Sequence, residues 1–473
     1  MSYIPVIGLE IHAELLTKSK AFCACKNSFG GEPNSRVCPV CMGFPGALPQ
    51  LNKEAVTLAV RAGAALGCEI HEYSAFDRKN YFYPDLPKAY QITQFEYPIC
   101  TGGGISFSEK LFRINRIHIE EDAGKLVHDG NGGTSSADYN RCGVGLIEIV
   151  TEPDFGSAEE VRRFVEEIAL RLKYADVCDG HLEQGSLRVD VNISVMKKGD
   201  SVLGTRAEIK NLNSLKSIGK AIDYEFKRQS EILKSGGKVV QETRRFDEKC
   251  GETKSMRSKE EANDYRYFPE PDIPPVVLTK AEIEKIKKAL PEMPNCRAER
   301  YIKDFGLQQD DARLIASDKD FSNFYDSAAQ SCDAKELARL MLGALNRALN
   351  ESKKSAAQII FQPEELAALC RMSSGGKVSK NAANDILAIM FESGEKPEKI
   401  ASERGWLMEN NEEKINTLID KILLENKENV KSYQNGNEKL FGYFMGQLVR
   451  AGGKSINPQL AKEVLEKRLA EDK

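Results

Sequence analysis

Ile7-Gly8-Leu9-Glu10-Ile11-His12-Ala13 is the stretch that decides the fold of the N-terminal half. Its odd-numbered residues are apolar, whereas the even-numbered ones include Glu10 and His12. Successive side chains of a β-strand point to opposite faces of a sheet. The alternation therefore predicts a strand with one apolar face and one face that carries an acid and a histidine.

Four further segments repeat this alternation. Their polar positions are Arg116, His118 and Glu120; Glu148; Arg188, Asp190 and Asn192; and Arg206, Glu208 and Lys210. A solvated face of an antiparallel sheet is the ordinary explanation for any one such strand. Asp, Asn and Glu are nevertheless poor strand formers, so their recurrence favours a functional face.

The residue types on this face point to metal and phosphate chemistry. Carboxylates with one or two histidines suit Mg²⁺, which usually also holds substrate phosphate. Neighbouring Arg and Lys side chains suit the phosphate itself. We therefore predict a basin in which a metal and a nucleotide meet. The sequence has no Walker A or protein-kinase glycine loop, so the nucleotide site is of another kind.

Four cysteines are grouped close to the N-terminus. Cys23 and Cys25 form a C-x-C pair, and Cys38 and Cys41 form a C-x2-C pair after a gap of 12 residues. Two close pairs across a short loop are typical of structural zinc. Core packing of reduced cysteines and a redox role are the alternatives. The spacing predicts a zinc knuckle at residues 23–41.

The secondary-structure pattern changes along the chain. Up to about residue 275 strands and loops dominate, with one helix after the capping box at residues 157–160. The proline cluster at 269–275 predicts a stiff connector, and helical periodicity follows it. The pattern indicates an α+β fold, with an N-terminal α+β domain, a helical middle domain and a small helical tail.

Composition indicates an ordinary soluble globular chain. The 473 residues are 41% hydrophobic and 29% charged, with a net charge of −4, which is unlike a strongly basic nucleic-acid coat. No stretch approaches the roughly 20 apolar residues of a membrane span, and the N-terminus lacks a signal-peptide pattern. We expect a cytoplasmic protein with no membrane partner.

Long strings of the sequence resemble the GatB/GatE family. They lie at 6–12 (VIGLEIH), 77–85 (DRKNYFYPD), 120–125 (EEDAGK), 138–141 (DYNR), 146–150 (LIEIV), 185–192 (GSLRVDVN), 210–214 (KNLNS) and 265–272 (YRYFPEPD). The match runs along the whole chain in order. One departure is Gly145, where the family often has proline before the Leu-Ile-Glu string.

The resemblance implies an architecture. It predicts a mostly antiparallel-sheet cradle domain over residues 1–292, an all-α helical domain over 293–405 and a small YqeY-like tail over 406–473. The tail would bind tRNA. Because it carries 11 basic and 11 acidic residues, it cannot act as a basic arm.

The resemblance also implies an activity and partners. ATP would phosphorylate the side-chain carboxylate of misacylated Glu-tRNA(Gln) or Asp-tRNA(Asn), and ammonia would then displace the phosphate. The ammonia would come from a separate glutaminase chain, the A subunit, and a small C subunit would complete a heterotrimer. The enzyme would be a carbon–nitrogen ligase with glutamine as amido donor. ATP, magnesium and a structural zinc are the expected cofactors.

Site residues follow from this chemistry and the charged face. We assign Glu10, His12, Glu148 and one of Glu120 or Glu121 to magnesium. Strand alternation favours Glu120, and a β-bulge would favour Glu121. Asp190 and Glu208 are assigned to a second metal or to the ammonia path. Lys79, Arg188 and Arg206 are assigned to the nucleotide. The segment 77–83 reads as an aromatic loop, which either packs or lines the site through Lys79 and Tyr81.

Two other functions compete with this one. A tRNA-binding scaffold would hold the substrate while another chain performs the chemistry, and its charged face would tolerate substitution. A zinc-dependent RNA-binding protein would lose RNA binding on chelation. The clustered acids and His12 favour catalysis over both.

Overall fold

The structure, a computed structural model, describes residues 3–128, 134–258, 264–408, 412–435, 437–452 and 458–471. The chain divides into two compact units, Met1–Met293 and Pro294–Lys473.

The strands lie in the first unit. They are β1 Tyr3–Glu14, β2 Glu69–Ile70, β3 Tyr73–Ser74, β4 Asp77–Asn80, β5 Tyr90–Thr93, β6 Cys100–Thr101, β7 Gly104–Phe107, β8 Lys110–Glu121, β9 Lys125–His128, β10 Ser135–Asp138, β11 Gly145–Thr151, β12 Leu187–Lys197, β13 Ala207–Lys210, β14 Glu242–Asp247, β15 Glu252–Ser258, β16 Phe268–Pro269 and β17 Val276–Val277. The helices of this unit are α1 Lys53–Ala65, α2 Ala158–Tyr174, α3 Leu215–Lys234 and α4 Lys280–Lys288.

Ten of these strands form the main sheet. Its order is β15-β14-β13-β12-β1-β11-β8-β6-β2, with β7 also paired to β8. The pairs are antiparallel except β13 with β14, which run parallel. The five segments predicted from alternation lie on β8, β11, β1, β12 and β13, which are neighbours in the centre of the sheet.

The apolar face of the sheet forms the core of the first unit. Ile7, Leu9, Ile11 and Ala13 on β1 are at most 1% exposed, and they pack in one cluster with residues of α1, α2 and α3. The helices therefore cover one face and leave the charged face of β1 open. The prediction of an α+β fold is confirmed, because the mostly antiparallel sheet is followed by helices.

Helix α2 begins where the sequence predicted. The Ser157 hydroxyl accepts a hydrogen bond from the Glu160 amide at 3.2 Å, which satisfies one free amide of the first turn. The Glu160 carboxylate accepts from the Gly156 amide at 2.7 Å rather than from Ser157 itself. The cap thus reaches one residue further back than a standard capping box.

The proline segment, predicted as a stiff connector, is instead docked on the first unit. β16 pairs with β4 and β17 pairs with β3, and Glu270 accepts two hydrogen bonds from Arg78, at 2.6 and 3.0 Å. This buried ion pair fixes the segment to the first unit, which ends at Met293. The loop predicted at residues 77–83 is likewise wrong in its first half, which is β4.

The described part of the second unit is helical. Its helices are α5 Pro294–Phe305, α6 Gln309–Ala316, α7 Lys319–Ala329, α8 Ala334–Leu340, α9 Asn346–Ser352, α10 Pro363–Ser374, α11 Lys380–Ser393, α12 Pro397–Glu403, α13 Glu412–Glu425, α14 Lys427–Gln434, α15 Leu440–Gly452 and α16 Pro458–Glu471. A π-helical turn, Met341–Leu345, joins α8 to α9, and a 3₁₀ turn, Ala356–Gln358, follows α9.

Two separate hydrophobic clusters stabilise these helices. One contains buried residues between Ala298 and Ala401, with Trp406 packed at its edge. The other contains buried residues between Ile415 and Leu469. Across the described ranges of the chain, no helix is both long and apolar enough to cross a membrane.

Candidate active site

The register of the main sheet brings the polar residues of the charged face together. His12 on β1 pairs with Glu148 on β11 and with Arg188 on β12. Glu148 in turn pairs with His118 on β8. Directly paired residues point to the same face of a sheet, so these four side chains form a row across four strands.

His12, Glu120 and Glu148 form what we call the first cluster. One ligand atom from each lies within 4.8 Å of the others. His12 Nε2 is 3.4 Å from Glu120 Oε1 and 3.8 Å from Glu148 Oε2. Two carboxylates and an imidazole around one point can hold a divalent cation.

His118 also contacts this cluster, although no role for it was predicted from the sequence. Its Nε2 is 2.9 Å from Glu148 Oε2 and 3.8 Å from Glu120 Oε2, and its side chain is buried. Burial acts to lower the pKa of His118, but the bonds to Glu120 and Glu148 outweigh it and raise the pKa to about 9. Burial acts to raise the pKa of Glu148, and the His118 bond reverses this effect, so that the pKa lies below its ordinary value.

Glu10 was assigned from the sequence to the same magnesium site as His12 and Glu148, but it lies with Asp190 and Glu208 in a second cluster, on β1, β12 and β13. Their ligand atoms also lie within 4.8 Å of one another. Lys210 Nζ stands between two of them, 2.6 Å from Asp190 Oδ2 and 2.9 Å from Glu208 Oε1. Asn192 Nδ2 donates to Glu10 Oε1 at 3.0 Å. A lysine balances part of the negative charge here, whereas His118 does so at the first cluster.

Proximity of the two clusters is visible in the pKa of Glu10. Burial raises this pKa, and the negative charges of Glu148 and Glu208 raise it further, against the Asn192 hydrogen bond and the Lys210 charge. A carboxyl placed between two acidic groups is harder to ionise than an isolated one. A cation bound beside Glu10 would therefore relieve an existing repulsion.

A cavity of about 250 Å³ opens on the first cluster. Its lining includes His12, Lys79, Tyr81, Gln91, Glu120, Asp122, Ala123, Leu146, Arg188 and Asp190. Arg188 donates to both carboxylate oxygens of Asp122, at 3.2 and 2.9 Å, which fixes the guanidinium on the cavity wall. The cavity thus combines acids with two cations.

Lys79 and Tyr81 line the cavity rather than packing as an isolated loop. Lys79 Nζ lies 4.7 Å from the ring centre of Tyr265 and 5.9 Å from that of Tyr81. Burial acts to lower the pKa of Lys79, but the charge of Glu120 and its other neighbours outweigh it and raise that pKa. Lys79 therefore presents a positive charge inside the cavity.

Two predicted site residues are not brought to this place. Glu121 points to the opposite side of β8, where it pairs with Lys88 and accepts the Ile92 amide at 3.0 Å. The pairing of β8 with β11 is regular from Glu121 to Arg116, so no bulge turns this side chain round, and Glu120 is the residue of the pair that meets His12. Arg206 is exposed, directly before β13, and does not line the cavity.

The four cysteines converge as the spacing predicted. Their sulfur atoms lie within 4.8 Å of one another, and none is in a disulfide. Four thiolates about 2.3 Å from a zinc ion need comparable separations, so the quartet can hold a metal and is compatible with zinc. The Cys38 amide donates to Cys41 Sγ at 3.2 Å, and the Met42 amide donates to the Cys38 carbonyl at 3.0 Å.

The thiol groups interact strongly within this quartet. A hydrogen bond from Cys23 lowers the pKa of Cys41 to about 4 against the effect of burial, and the Cys38 amide and the Lys20 charge act in the same direction. Cys41 is therefore the cysteine best prepared to be a thiolate.

Comparison with known proteins places this geometry in a family. Residues 5–284 match the profile described as the GatB/GatE catalytic domain, and residues 323–469 match one described as a GatB domain. The chain belongs to the GatB/GatE family. Both acidic clusters, the cavity and the cysteine quartet lie within the part that matches the GatB/GatE catalytic domain.

Relatives within the GatB/GatE family align along nearly the whole chain. A protein of Ruminiclostridium cellulolyticum is 52% identical over 99% of this chain and 98% of its own length. One of Thermoanaerobacter pseudethanolicus is 47% identical over 99% of this chain and all of its own length. Both are named as the B subunit of an aspartyl/glutamyl-tRNA(Asn/Gln) amidotransferase. The resemblance to the GatB/GatE family in the sequence is confirmed.

Proposed function

We propose that this chain is the part of a tRNA-dependent amidotransferase that activates and amidates the amino acid of misacylated Glu-tRNA(Gln), Asp-tRNA(Asn) or both. The observation that carries the proposal is that one cavity is lined by His12 and Glu120 of the first cluster together with the cations Lys79 and Arg188. Relatives of similar length carry the corresponding name.

The chemistry explains why such a site needs both signs of charge. A carboxylate is a poor electrophile, so one of its oxygens first attacks the γ-phosphorus of ATP, and ADP leaves. Ammonia then attacks the carbonyl carbon, and phosphate leaves with the electron pair of the broken C–O bond. Phosphoryl transfer depends mainly on positioning and on offsetting the charge of the phosphate oxygens.

Residue roles follow from position. His12, Glu120 and Glu148 would hold Mg²⁺, which supplies the charge that offsets the phosphate oxygens. Lys79 and Arg188 face the same cavity as cations that bind phosphate oxygens.

The second cluster supports two roles. Glu10, Asp190 and Glu208 would bind a second cation, or they would accept a proton from ammonium on its way to the activated carbonyl. The position of Lys210 favours the role of proton acceptor over that of cation site, because its positive charge already offsets the charges of two of the three carboxylates.

In this proposal the cysteine quartet stabilises the fold and takes no part in the reaction. A closed site of four thiolates leaves no position for a substrate, so zinc there would contribute folding free energy rather than chemistry.

We further propose that the chain works in the cytoplasm in a heterotrimer, together with a glutaminase partner (the A subunit) and a small third partner (the C subunit). Residues 1–292 would carry the catalytic cradle, 293–405 the helical domain and 406–473 the tRNA-binding tail.

The decisive experiment is an amidation assay on the assembled heterotrimer. Each misacylated tRNA is supplied with ATP and glutamine, and release of ADP and formation of the amide are measured. E148Q should lose both ADP release and amide formation, while glutamine hydrolysis by the glutaminase partner persists. E69Q is the matched control, because Glu69 is exposed at the edge strand β2 of the same sheet.

A non-catalytic scaffold predicts another result. In that case E148Q and a Lys79→Met variant would amidate as fast as the unmodified complex, and only tRNA binding would respond to substitutions. Equal rates for E148Q and E69Q would therefore refute the catalytic role and favour the scaffold.

A further inference from the structure

Lys20 is a fully buried lysine beside the cysteine quartet. Its relative exposure is 0%. Nζ donates to the Arg36 carbonyl at 2.8 Å, and it lies 3.4 Å from the Tyr139 carbonyl and 3.7 Å from Cys41 Sγ. The three protons of the ammonium thus have acceptors, but none of these is a carboxylate.

A buried ammonium without an anion is strongly unfavourable, because it has lost its hydration. Within the described ranges, no carboxylate oxygen lies within 4 Å of Lys20 Nζ. Glu121 Oε2 approaches Gly143, as the Lys20 stem does, but the Glu121 carboxylate is already paired with Lys88. The anion that balances Lys20 must therefore come from the sulfur atoms, and Cys41 is in contact.

With zinc bound, Lys20 would offset the net charge of the whole quartet and not only that of Cys41. Four thiolates around one Zn²⁺ carry a net charge of −2, and they are partly screened by N–H donors such as the Cys38 amide. One adjacent ammonium halves that charge inside a region from which water is excluded. Burying the Lys20 ammonium alone or the negative metal–thiolate centre alone would be unfavourable, and the two opposite charges offset each other.

We infer that Lys20 is the built-in counter-charge of the cysteine metal centre and raises the affinity of the quartet for Zn²⁺. This inference rests on the proposed zinc site. Lys20 contacts a ligand atom and not the ion, so it is a positioning residue whose effect passes through Cys41. Outer partners of metal ligands typically change metal affinity by about 10–100-fold.

A purely mechanical role is the competing explanation. Through Arg36 and Tyr139, Lys20 also ties the cysteine segment to the chain between β10 and β11. Such a tie would stabilise the chain equally with and without metal. A counter-charge would instead couple Lys20 to metal occupancy, which a thermodynamic cycle detects.

The test compares K20M, K20R and the control K18M in the full-length chain. Lys18 is exposed in the same segment, so K18M removes an equal charge without a buried contact. Zinc affinity is measured by competition with a chromogenic chelator, and the sulfur-to-metal absorption of the Co²⁺ form reports the thiolates. K20M should bind Zn²⁺ about 10–100-fold more weakly, K20R should be weakened less, and K18M should be unchanged.

Urea unfolding with and without zinc completes the cycle. Removing the metal should lower the unfolding midpoint of the unmodified chain more than that of K20M, since K20M binds zinc more weakly and gains less stability from it. Equal lowering in both chains would overturn the inference, as would Zn²⁺ affinity in K20M within twofold of the unmodified chain.

Two further outcomes are informative. If K20M is insoluble, K20Q takes its place, and equal zinc affinities of K20Q and K20R would overturn the role of charge. If the unmodified chain binds no Zn²⁺, the metal centre itself is refuted, and the inference falls with it. Tight binding by the unmodified chain and K20M alike refutes only the role of Lys20.

Discussion

At the scale of single residues, His12 is the residue whose substitution should impair the site most. Its Nε2 lies within 4 Å of Glu120 and Glu148, and its strand partners are Glu148 and Arg188. H12A should lower the amidation rate roughly 100-fold or more, because a cation site keeps two acids and loses its third ligand. Glutamine hydrolysis by the glutaminase partner should persist. The rate of amide formation on misacylated tRNA measures this.

His181 supplies the control for that substitution, because it is exposed and lies outside both clusters. H181A should amidate normally. An amidation rate for H12A equal to that of H181A would show that the reaction does not depend on a cation bound by His12.

At the scale of elements, Glu225 anchors α3 to the edge of the sheet. Its carboxylate is fully buried and accepts hydrogen bonds from Arg228 at 2.6 and 3.0 Å, Gln229 at 2.9 Å and Thr253 at 2.8 Å. Burial alone would raise the pKa of Glu225, but these bonds, with that of Arg228 first, lower it below 4.5. The ion pair with Arg244 on β14 adds to the same network.

E225Q should therefore destabilise the chain by roughly 3 kcal/mol at pH 7, since it removes the buried one of the two carboxylates, Glu225 and Glu242, that pair with Arg228 and Arg244. A lowered pKa contributes stability that is present above pH 4.5 and is lost as the pH falls through the folded value. The difference between E225Q and the unmodified chain should shrink below pH 4.5. Urea unfolding at several pH values checks this.

The exposed Glu231 on the same helix gives a charge-matched comparison. E231Q should unfold like the unmodified chain at each pH. A difference between E225Q and E231Q that stays constant from pH 7 to well below pH 4.5 would mean that Glu225 acts through its shape and not through its charge.

The cysteine knuckle is a second element with its own prediction. The purified chain should contain about one zinc, and C38S should lower the thermal midpoint more than it lowers the amidation rate per folded molecule. Cys250 is exposed and outside the quartet, so C250S is the control. Metal analysis together with thermal unfolding measures both effects. A metal-free chain, prepared without chelator, would end this assignment.

At the scale of the whole molecule, the tail is the part that can be removed as a unit. The helices from α13 to α16 have their own hydrophobic cluster. Trp406 instead packs on the preceding cluster, and the Met408 amide donates to the Lys377 carbonyl at 2.7 Å. The truncated chain should therefore end at Met408, which keeps the packing of Trp406 and the hydrogen bond of Met408 intact.

The truncated chain should have a strongly raised apparent KM for aminoacyl-tRNA, roughly tenfold or more, because the proposed RNA contacts are lost. Glutaminase activity and assembly of the heterotrimer should be retained. Circular dichroism confirms folding, and steady-state kinetics with varied tRNA measures KM. A folded truncated chain with unchanged KM would leave the tail without a recognition role.

Several features were determined by the sequence alone. Alternation on β1 placed Glu10 and His12 on the face opposite the core, because side-chain direction in a strand depends only on position. The helix start at Ser157 was likewise local, since a cap needs only its own first turn. The GatB/GatE strings gave the family, which the comparisons confirmed.

Only the tertiary structure decided which polar residues meet. The strand order sets Glu148 beside His12 and sends Lys210 between Asp190 and Glu208, and no local pattern encodes the neighbours of a strand. The same is true of the docked proline segment and of the burial of Lys20, both of which depend on partners far along the chain. Periodicity determines the face of the sheet on which a residue lies. Long-range strand pairing determines which residues are its neighbours, because contacts distant in sequence form only when the whole sheet assembles.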